Sequence, residues 1–228
     1  MSRSVLSTGL ACVLACLCRS AHAEVSLGIV SDYRYRGLSL TDGHPALQGG
    51  FAWDHQRGWY AGVFASGTRI GNERGVQAVW YLGRAWRLES GRSWEAGIQS
   101  VAFTGARTDD YRELYVGMSS DRWSGRVYYQ PEAFGGYGPA AYAEINTSHP
   151  LGERWALVGH LGAGWQGGAL ASYVDRMSYD ARFGVGVAVG AVHLHLQRVM
   201  TRRRGYLAYA LDEDAGDAGW VLGATWTW

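Results

Sequence analysis

The sequence contains no lysine, and its three cysteines, Cys12, Cys16 and Cys18, all lie near the N-terminus. The rest of the chain has no thiol and cannot rely on disulfides. No apolar run of about 18 residues follows the first 23, which excludes a transmembrane helix there. Without Arg3 and Arg19, the 21 basic side chains fall to 19, against 20 acidic ones. This balance argues against nucleic acid as a partner.

Residues 1–23 have the pattern of a secretory signal peptide. Arg3 precedes an apolar run from Val5 to Cys18, and Ala21-His22-Ala23 matches a cleavage site. Val13 to Cys16 partly resembles a lipoprotein processing site, but Leu14 suits such a site poorly. We therefore predict plain cleavage after Ala23 and one domain over residues 24–228.

The composition is rich in glycine and aromatic residues, with 33 Gly, 11 Trp and 14 Tyr. In the last ten residues every second position is apolar: Trp220, Leu222, Ala224, Trp226 and Trp228. Alternation with period two is typical of a strand with one face in an apolar medium. The pattern predicts an all-β fold, a transmembrane antiparallel up-and-down β-barrel with this face towards outer-membrane lipid. The terminal aromatic also resembles the signal that bacterial outer-membrane proteins present to the barrel-assembly machinery.

Alternating segments continue along the chain, separated in turn by short and longer connections. The short ones lie at 55–58, 89–93, 119–122, 149–154 and 190–191, and the longer ones at 37–45, 69–74, 104–110, 131–139, 166–178 and 202–217. Five short and six longer connections predict about twelve strands. Trp59, Trp94, Trp123 and Trp155 each follow a short turn directly, which predicts an aromatic ring at one end of the barrel. Tryptophans in the core of a soluble barrel are the alternative.

The first alternating run extends from Val25 to Arg36 and leaves no segment for a plug. Its parity predicts Tyr33 and Tyr35 on the lipid face and Asp32, Arg34 and Arg36 on the lumen face. Three charges on a lipid face would each cost roughly 2–4 kcal/mol at the midplane, so we expect them inside. They form either a selectivity element or a network that neutralises itself in a closed barrel. Because arginine suits bidentate pairing, the absence of lysine slightly favours the network.

The same parity places further polar side chains in the lumen. The predicted pore-lining residues are Asp32, Arg34, Arg36, Glu95, Glu113, Arg126, Glu144, His160, Arg182 and His195. Three arginines, Arg84, Arg112 and Arg198, fall on the outward face near strand ends, where their side chains can reach lipid headgroups.

The histidines could serve either as metal ligands or as polar filling of the lumen. His193 and His195 share a strand face, and His160 is a possible third ligand. Without cysteine or a carboxylate at fixed spacing, the pattern favours filling. We predict no metal, no cofactor and no catalytic residues.

The last long connection carries a basic group, Arg202 to Arg204, followed by four acids, Asp212, Glu213, Asp214 and Asp217. This predicts a solvated extracellular loop, with contact to lipopolysaccharide phosphates as the alternative. Outer-membrane lipid and lipopolysaccharide are therefore expected partners, together with small polar solutes.

An outer-membrane channel for passive diffusion of small hydrophilic or charged solutes is the predicted function. A closed structural or surface barrel is the first alternative, and an outer-membrane lipid-modifying enzyme the second. An enzyme that cuts lipid needs its triad on the lipid face, whereas the strand histidines fall on the lumen face. No Gly-x-Ser-x-Gly motif is present either. The sequence leaves the solute, the ion selectivity and the oligomeric state open.

Three blocks resemble the TorF-type porin family of proteobacteria: residues 30–39 (VSDYRYRGLS), 46–50 (ALQGG) with 59–63 (WYAGV), and 111–117 (YRELYVG). The resemblance implies an outer-membrane location and a porin-like role, and the family's name points to small methylamine-type solutes. Relatives tend to be acidic in the strand after the second long connection. This chain has Gln77 to Tyr81 there, which removes lumen acids that a cation preference would use.

Overall fold

The computed structural model describes residues 21–105, 110–133, 136, 138–172, 175–202 and 218–228. Twelve long strands form one closed antiparallel barrel in which each strand pairs with its neighbours along the chain. The all-β architecture and the strand number predicted from the alternation are confirmed.

The wall strands are β1 (Ala21–Val30), β4 (Ala46–His55), β5 (Trp59–Ile70), β6 (Glu73–Arg87), β7 (Ser93–Thr104), β8 (Tyr111–Ser119), β9 (Trp123–Ala133), β10 (Gly138–Leu151), β11 (Trp155–Gln166), β12 (Met177–Val189), β13 (Val192–Arg202) and β14 (Ala218–Thr227). Two short strands, β2 (Arg34–Tyr35) and β3 (Leu38–Ser39), pair only with each other. The described residues contain one helical segment, the 3-10 turn Gly168–Ser172. No helix among them is long and apolar enough to cross a membrane.

The barrel closes where the last strand pairs with the first. Ser26 lies opposite Thr227 in the β1–β14 pair, and Ile29 lies opposite Ala224. Strand β1 also pairs with β4 along its whole length, so residues 26–30 of β1 have a partner strand on each side. The predicted alternation of outward and inward side chains near the C-terminus is confirmed. Leu222 and Trp228 are 59% and 60% exposed on the outer surface, whereas Val221 is buried inside.

The two ends of the barrel carry different connections, which we call the turn end and the loop end. The turn end has the five short turns and exposed tryptophans, including Trp59, Trp94 and Trp155. At the loop end one connection is shorter than predicted. Strand β5 extends to Ile70 and β6 begins at Glu73, so only two residues connect them. Gly71 adopts a φ of 59°, a conformation that lets two residues close a hairpin.

The first strand is shorter than predicted, and the prediction that no segment fills the lumen is wrong. Strand β1 ends at Val30, and residues 31–45, which we call the lumen segment, fold back into the barrel. Tyr33, predicted on the lipid face, is only 8% exposed. The reversal comes from the turn between β2 and β3, where Arg36 and Gly37 have φ values of 50° and 82°. Two consecutive positive φ angles are the signature of a type I′ hairpin turn.

Two predictions fall largely outside the described residues. The charged connection at 203–217 is one of them, and the signal peptide is the other. Strand β1 begins at Ala21, so cleavage after Ala23 would remove three residues that pair with β4. The signal peptide remains a prediction.

Candidate functional site

Asp32 organises the lumen segment through side-chain hydrogen bonds. Its carboxylate accepts hydrogen bonds from the Ser39 hydroxyl, from Thr41 Oγ1 at 3.0 Å and from Arg34 Nε at 2.6 Å. Thr41 Oγ1 in turn accepts the backbone N–H of Tyr33 at 2.9 Å. These contacts satisfy the polar groups of a tight fold whose residues 38–41 are all buried.

Arg36 joins the tip of this fold to the barrel wall. Its guanidinium donates two hydrogen bonds to the Glu113 carboxylate, of 2.9 and 2.6 Å. Gln99 Nε2 donates to the same carboxylate at 2.6 Å, which leaves Glu113 buried and satisfied. The guanidinium also lies 4.4 Å from the ring centroid of Tyr142. Such a bidentate pair with an aromatic platform fixes position as well as charge.

Gly37, the second residue of the turn, contacts the opposite wall. Thr201 Oγ1 donates to its carbonyl oxygen at 2.7 Å. A Cβ atom at this glycine would lie 2.5 Å from Asp180 Cβ, so no larger residue has room. Because Tyr33 donates to Gln77 on β6, the lumen segment bonds to strands on several sides of the barrel and spans its interior.

A hydrogen-bonded cluster centred on His160 lies beside this tip. The ring nitrogen Nε2 is 2.8 Å from Asp180 Oδ1, and Nδ1 is 2.7 Å from Asn146 Oδ1. Tyr142 donates to the second oxygen of Asp180 at 2.9 Å. The imidazole on β11 is therefore held by acceptors on both sides, from the neighbouring strands β10 and β12.

A second cluster lines the wall from β5 to β9. Arg126 donates to both oxygens of Glu95, with the longer contact at 3.1 Å. Tyr60 donates to Glu95 at 2.6 Å and accepts a hydrogen bond of 2.8 Å from Tyr115. Tyrosine rings pack along this wall, and those of Tyr115 and Tyr128 have centroids 5.7 Å apart. The cluster neutralises one more lumen arginine.

Two cavities in the lumen are lined by the residues of these clusters. One has a volume of about 310 Å³ and lies between the lumen segment and side chains of β5 to β7 and β9 to β12. The other, of about 210 Å³, lies nearer the turn end between β10 and β13. His160 and Arg182 line both. Arg182 forms no salt bridge or hydrogen bond with any residue that the structure describes.

All ten predicted pore-lining residues lie inside the barrel. Nine of them form the contacts above or line the cavities. Among these, Glu144 faces the larger cavity and accepts a 3.3 Å hydrogen bond from Tyr128. The His195 ring covers Gly223, where a Cβ atom would lie 2.3 Å from the ring. That these residues line a conducting pore remains a prediction.

The alternation of polar and apolar residues does not predict which side chains bond to Asp32 inside the lumen segment. It gives no indication of Ser39 and Thr41, and it assigns Tyr33 and Tyr35 to the wrong face. The signal was present in Asp42-Gly43, a pair typical of tight turns, with φ values of 51° and 68°. Within the described part of the chain, no group of three or more His, Cys, Asp or Glu side chains could hold a metal ion.

A family model matches residues 19–221. The chain belongs to the Gcw_chp family. The description of this family is "bacterial protein of unknown function". The match does not confirm the more specific TorF-type label. No curated protein matches the sequence.

Solved structures with similar barrels include outer-membrane channels. The KdgM porin aligns over 89% of this chain and 98% of its own, at 6% identity and a TM-score of 0.56. The NanC porin aligns over 90% and 99%, at 11% identity and a TM-score of 0.56. The COG4313 outer membrane channel from Pseudomonas putida F1 aligns over 91% and 94%, at 12% identity and a TM-score of 0.54. At these identities the likeness shows that the chain has the barrel fold of such channels.

Proposed function

We propose that this Gcw_chp protein is a porin-like channel of the bacterial outer membrane, through which small hydrophilic or charged solutes diffuse passively. The observation that carries the proposal is the contrast between the two faces of the wall. The outer face exposes large apolar side chains on every wall strand. The inner face carries the charged clusters and two cavities. Such a barrel buries its apolar band only in lipid.

Arginines on the outer face support the membrane placement. The guanidiniums of Arg84 and Arg198 lie 5.5 and 5.8 Å from the ring centroids of Trp86 and Trp220. Long cationic side chains beside exposed tryptophans are typical of the headgroup region. Lipid, lipopolysaccharide and the barrel-assembly machinery therefore belong to the proposal as partners.

The remaining lumen supports passage of small solutes rather than large ones. The lumen segment narrows the loop-end half, and cavities of about 310 and 210 Å³ remain beside and below it. One related structure is described as the KdgM porin with disordered oligogalacturonate, an acidic sugar chain. We propose charged solutes for this chain too, but smaller ones, because the lumen segment occupies the bore.

A closed structural barrel is the second candidate, and one observation favours it. Arg34, Arg36 and Arg126 are each paired with a carboxylate inside the barrel. Paired charges of this kind can fill a lumen without serving any solute. The TorF-type resemblance, which implies a porin-like role, supports the channel instead.

Single-channel recording of the chain refolded into planar bilayers separates the two candidates. We expect discrete conductance steps, and Arg36→Ala should raise the conductance because it frees the tip of the lumen segment from Glu113. Arg84→Ala, on the outer face, is the matched control and should leave the steps unchanged. A barrel that inserts but carries no current would contradict the channel and support the closed barrel.

A further inference from the structure

Arg182 is the exception among the lumen arginines. Arg34 lies 2.6 Å from Asp32, and Arg36 lies 2.6 Å from Glu113. Arg126 is likewise paired with a carboxylate. Arg182, partly exposed on the inner face of β12, has no such partner among the described residues. Its guanidinium carries five N–H donors and uses none of them on the described residues.

The smaller cavity beside Arg182 is rich in donors. Its polar lining consists of Arg182, His160, Gln197, Asn146 and Thr147, with no acidic residue. The Gln197 amide forms no hydrogen bond within the described chain. Asn146 uses its oxygen for His160, which leaves its NH2 group available. Two carboxylates line the adjoining larger cavity together with Arg182. Asp180 is bonded to His160 and Tyr142, and Glu144 accepts a hydrogen bond from Tyr128.

We propose that Arg182 and Gln197 form a binding site for a small monocarboxylate in the turn-end half of the lumen. The inference rests on the proposed channel and deepens it by naming a class of solute. A guanidinium binds a carboxylate through two parallel N–H···O bonds, and an amide N–H can supply a further bond. No conformational change of the wall is required, because both side chains already line one cavity.

Size and charge select this class of ligand. A cavity of about 210 Å³ suits a carboxylate of a few carbons with some water. Drug-sized ligands occupy pockets of roughly 300 Å³ or more. Among the described residues, the site has one guanidinium without a carboxylate partner, and the other basic side chain, His160, is held by Asp180 at 2.8 Å. A single cation matches a monoanion better than a phosphate dianion.

Binding is measured first without relying on conductance. Carbon-13-labelled acetate is titrated into the full chain refolded in detergent, and its NMR linewidth is followed. We expect saturable broadening for the wild type and an apparent dissociation constant at least about tenfold higher for Arg182→Gln. Gln197→Leu should weaken binding by a smaller factor, and it serves as the second variant if Arg182→Gln does not fold.

Arg198→Gln is the matched control, since this arginine lies on β13 with its guanidinium 5.8 Å from the ring centroid of Trp220, on the outer face. Equal acetate affinity in the wild type and in both lumen variants would overturn the site. Inorganic phosphate that binds more tightly than acetate would overturn the carboxylate class.

Reversal potentials measured in acetate gradients test the acetate site and the channel function separately. Acetate binding that depends on Arg182, in a barrel that carries no current, supports the site and contradicts the channel. A conducting barrel whose acetate permeability is the same in Arg182→Gln keeps the channel and overturns the site.

Discussion

The two halves of the lumen differ in how their inward side chains are covered. On β13, Val199 near the loop end is 1% exposed, whereas His195 and Gln197 towards the turn end stay partly exposed. Strand β1 shows the same gradient from buried Val30 to partly exposed Ser26. The wall has the same alternation in both halves, so the difference comes from the lumen segment, which covers only the loop-end half.

The charged side chains of the lumen serve two purposes in one barrel. In the loop-end half, Arg36 and Glu113 are buried and neutralise each other, and they hold a segment in place. Arg182 lies opposite Val199, at the boundary between the halves, and lines the cavity that extends towards the turn end; it forms no salt bridge or hydrogen bond with the described wall. Buried pairs stabilise one conformation, whereas an unmatched cation in a wet lumen can bind a passing solute.

Replacing residues 31–45 by a four-residue turn should remove the difference between the halves and give the largest effect. Val30 lies opposite Ala46 in the β1–β4 pair, so a short hairpin can bridge the two strands. We expect single-channel conductance to rise at least about twofold, because the loop-end half loses its filling. An unchanged conductance in a correctly folded barrel would show that the segment does not limit the bore.

Glu113→Gln tests the ion pair that holds the tip. Arg36 would remain in the interior without its carboxylate, and we expect the free energy of unfolding to fall by about 3 kcal/mol. Urea titration followed by tryptophan fluorescence measures the change. Arg84→Ala, on the outer face, should lose about 1 kcal/mol or less.

The double variant Arg36→Leu with Glu113→Leu should lose less stability than Glu113→Gln, because it leaves no unpaired charge. A double variant that is as unstable as the single one would mean that the loss comes from the missing contacts of the pair and not from an unpaired charge.

Alanine substitutions at two glycines of the lumen segment should give the smallest losses of stability. Comparing them separates the cost of backbone strain from the cost of a steric clash with the barrel wall. Gly37 and Gly43 both have positive φ, 82° and 68°, so alanine at either costs about 1 kcal/mol. Only Gly37 faces other atoms, since a Cβ there would lie 2.5 Å from Asp180 Cβ, whereas Gly43 has nothing within 4 Å. Gly37→Ala should therefore cost about 1–3 kcal/mol more than Gly43→Ala. Equal losses in urea titrations would indicate that the tip does not pack against β12.

Much of the wall was predictable because a strand at a lipid boundary repeats every two residues. The C-terminal alternation predicted which side of β14 faces outwards, and Leu222 and Val221 lie on opposite sides as expected. Lumen parity likewise placed Glu95, Arg126 and His160 inside. Parity failed beyond Val30, because residues 31–36 still alternate although they no longer belong to a wall strand.

The sequence by itself determined the barrel, its strand number and the polarity of its two faces, because these depend only on local periodicity and turn chemistry. Tertiary structure alone decided which lumen charges are neutralised. Asp32 and Arg34 are two residues apart, but Arg36 and Glu113 are separated by 77 positions, and only the fold brings the latter pair within 2.6 Å. The same fold leaves Arg182 without a salt bridge to any residue in the described part of the chain. An ion pair depends on distances in space, which no pattern along the chain encodes.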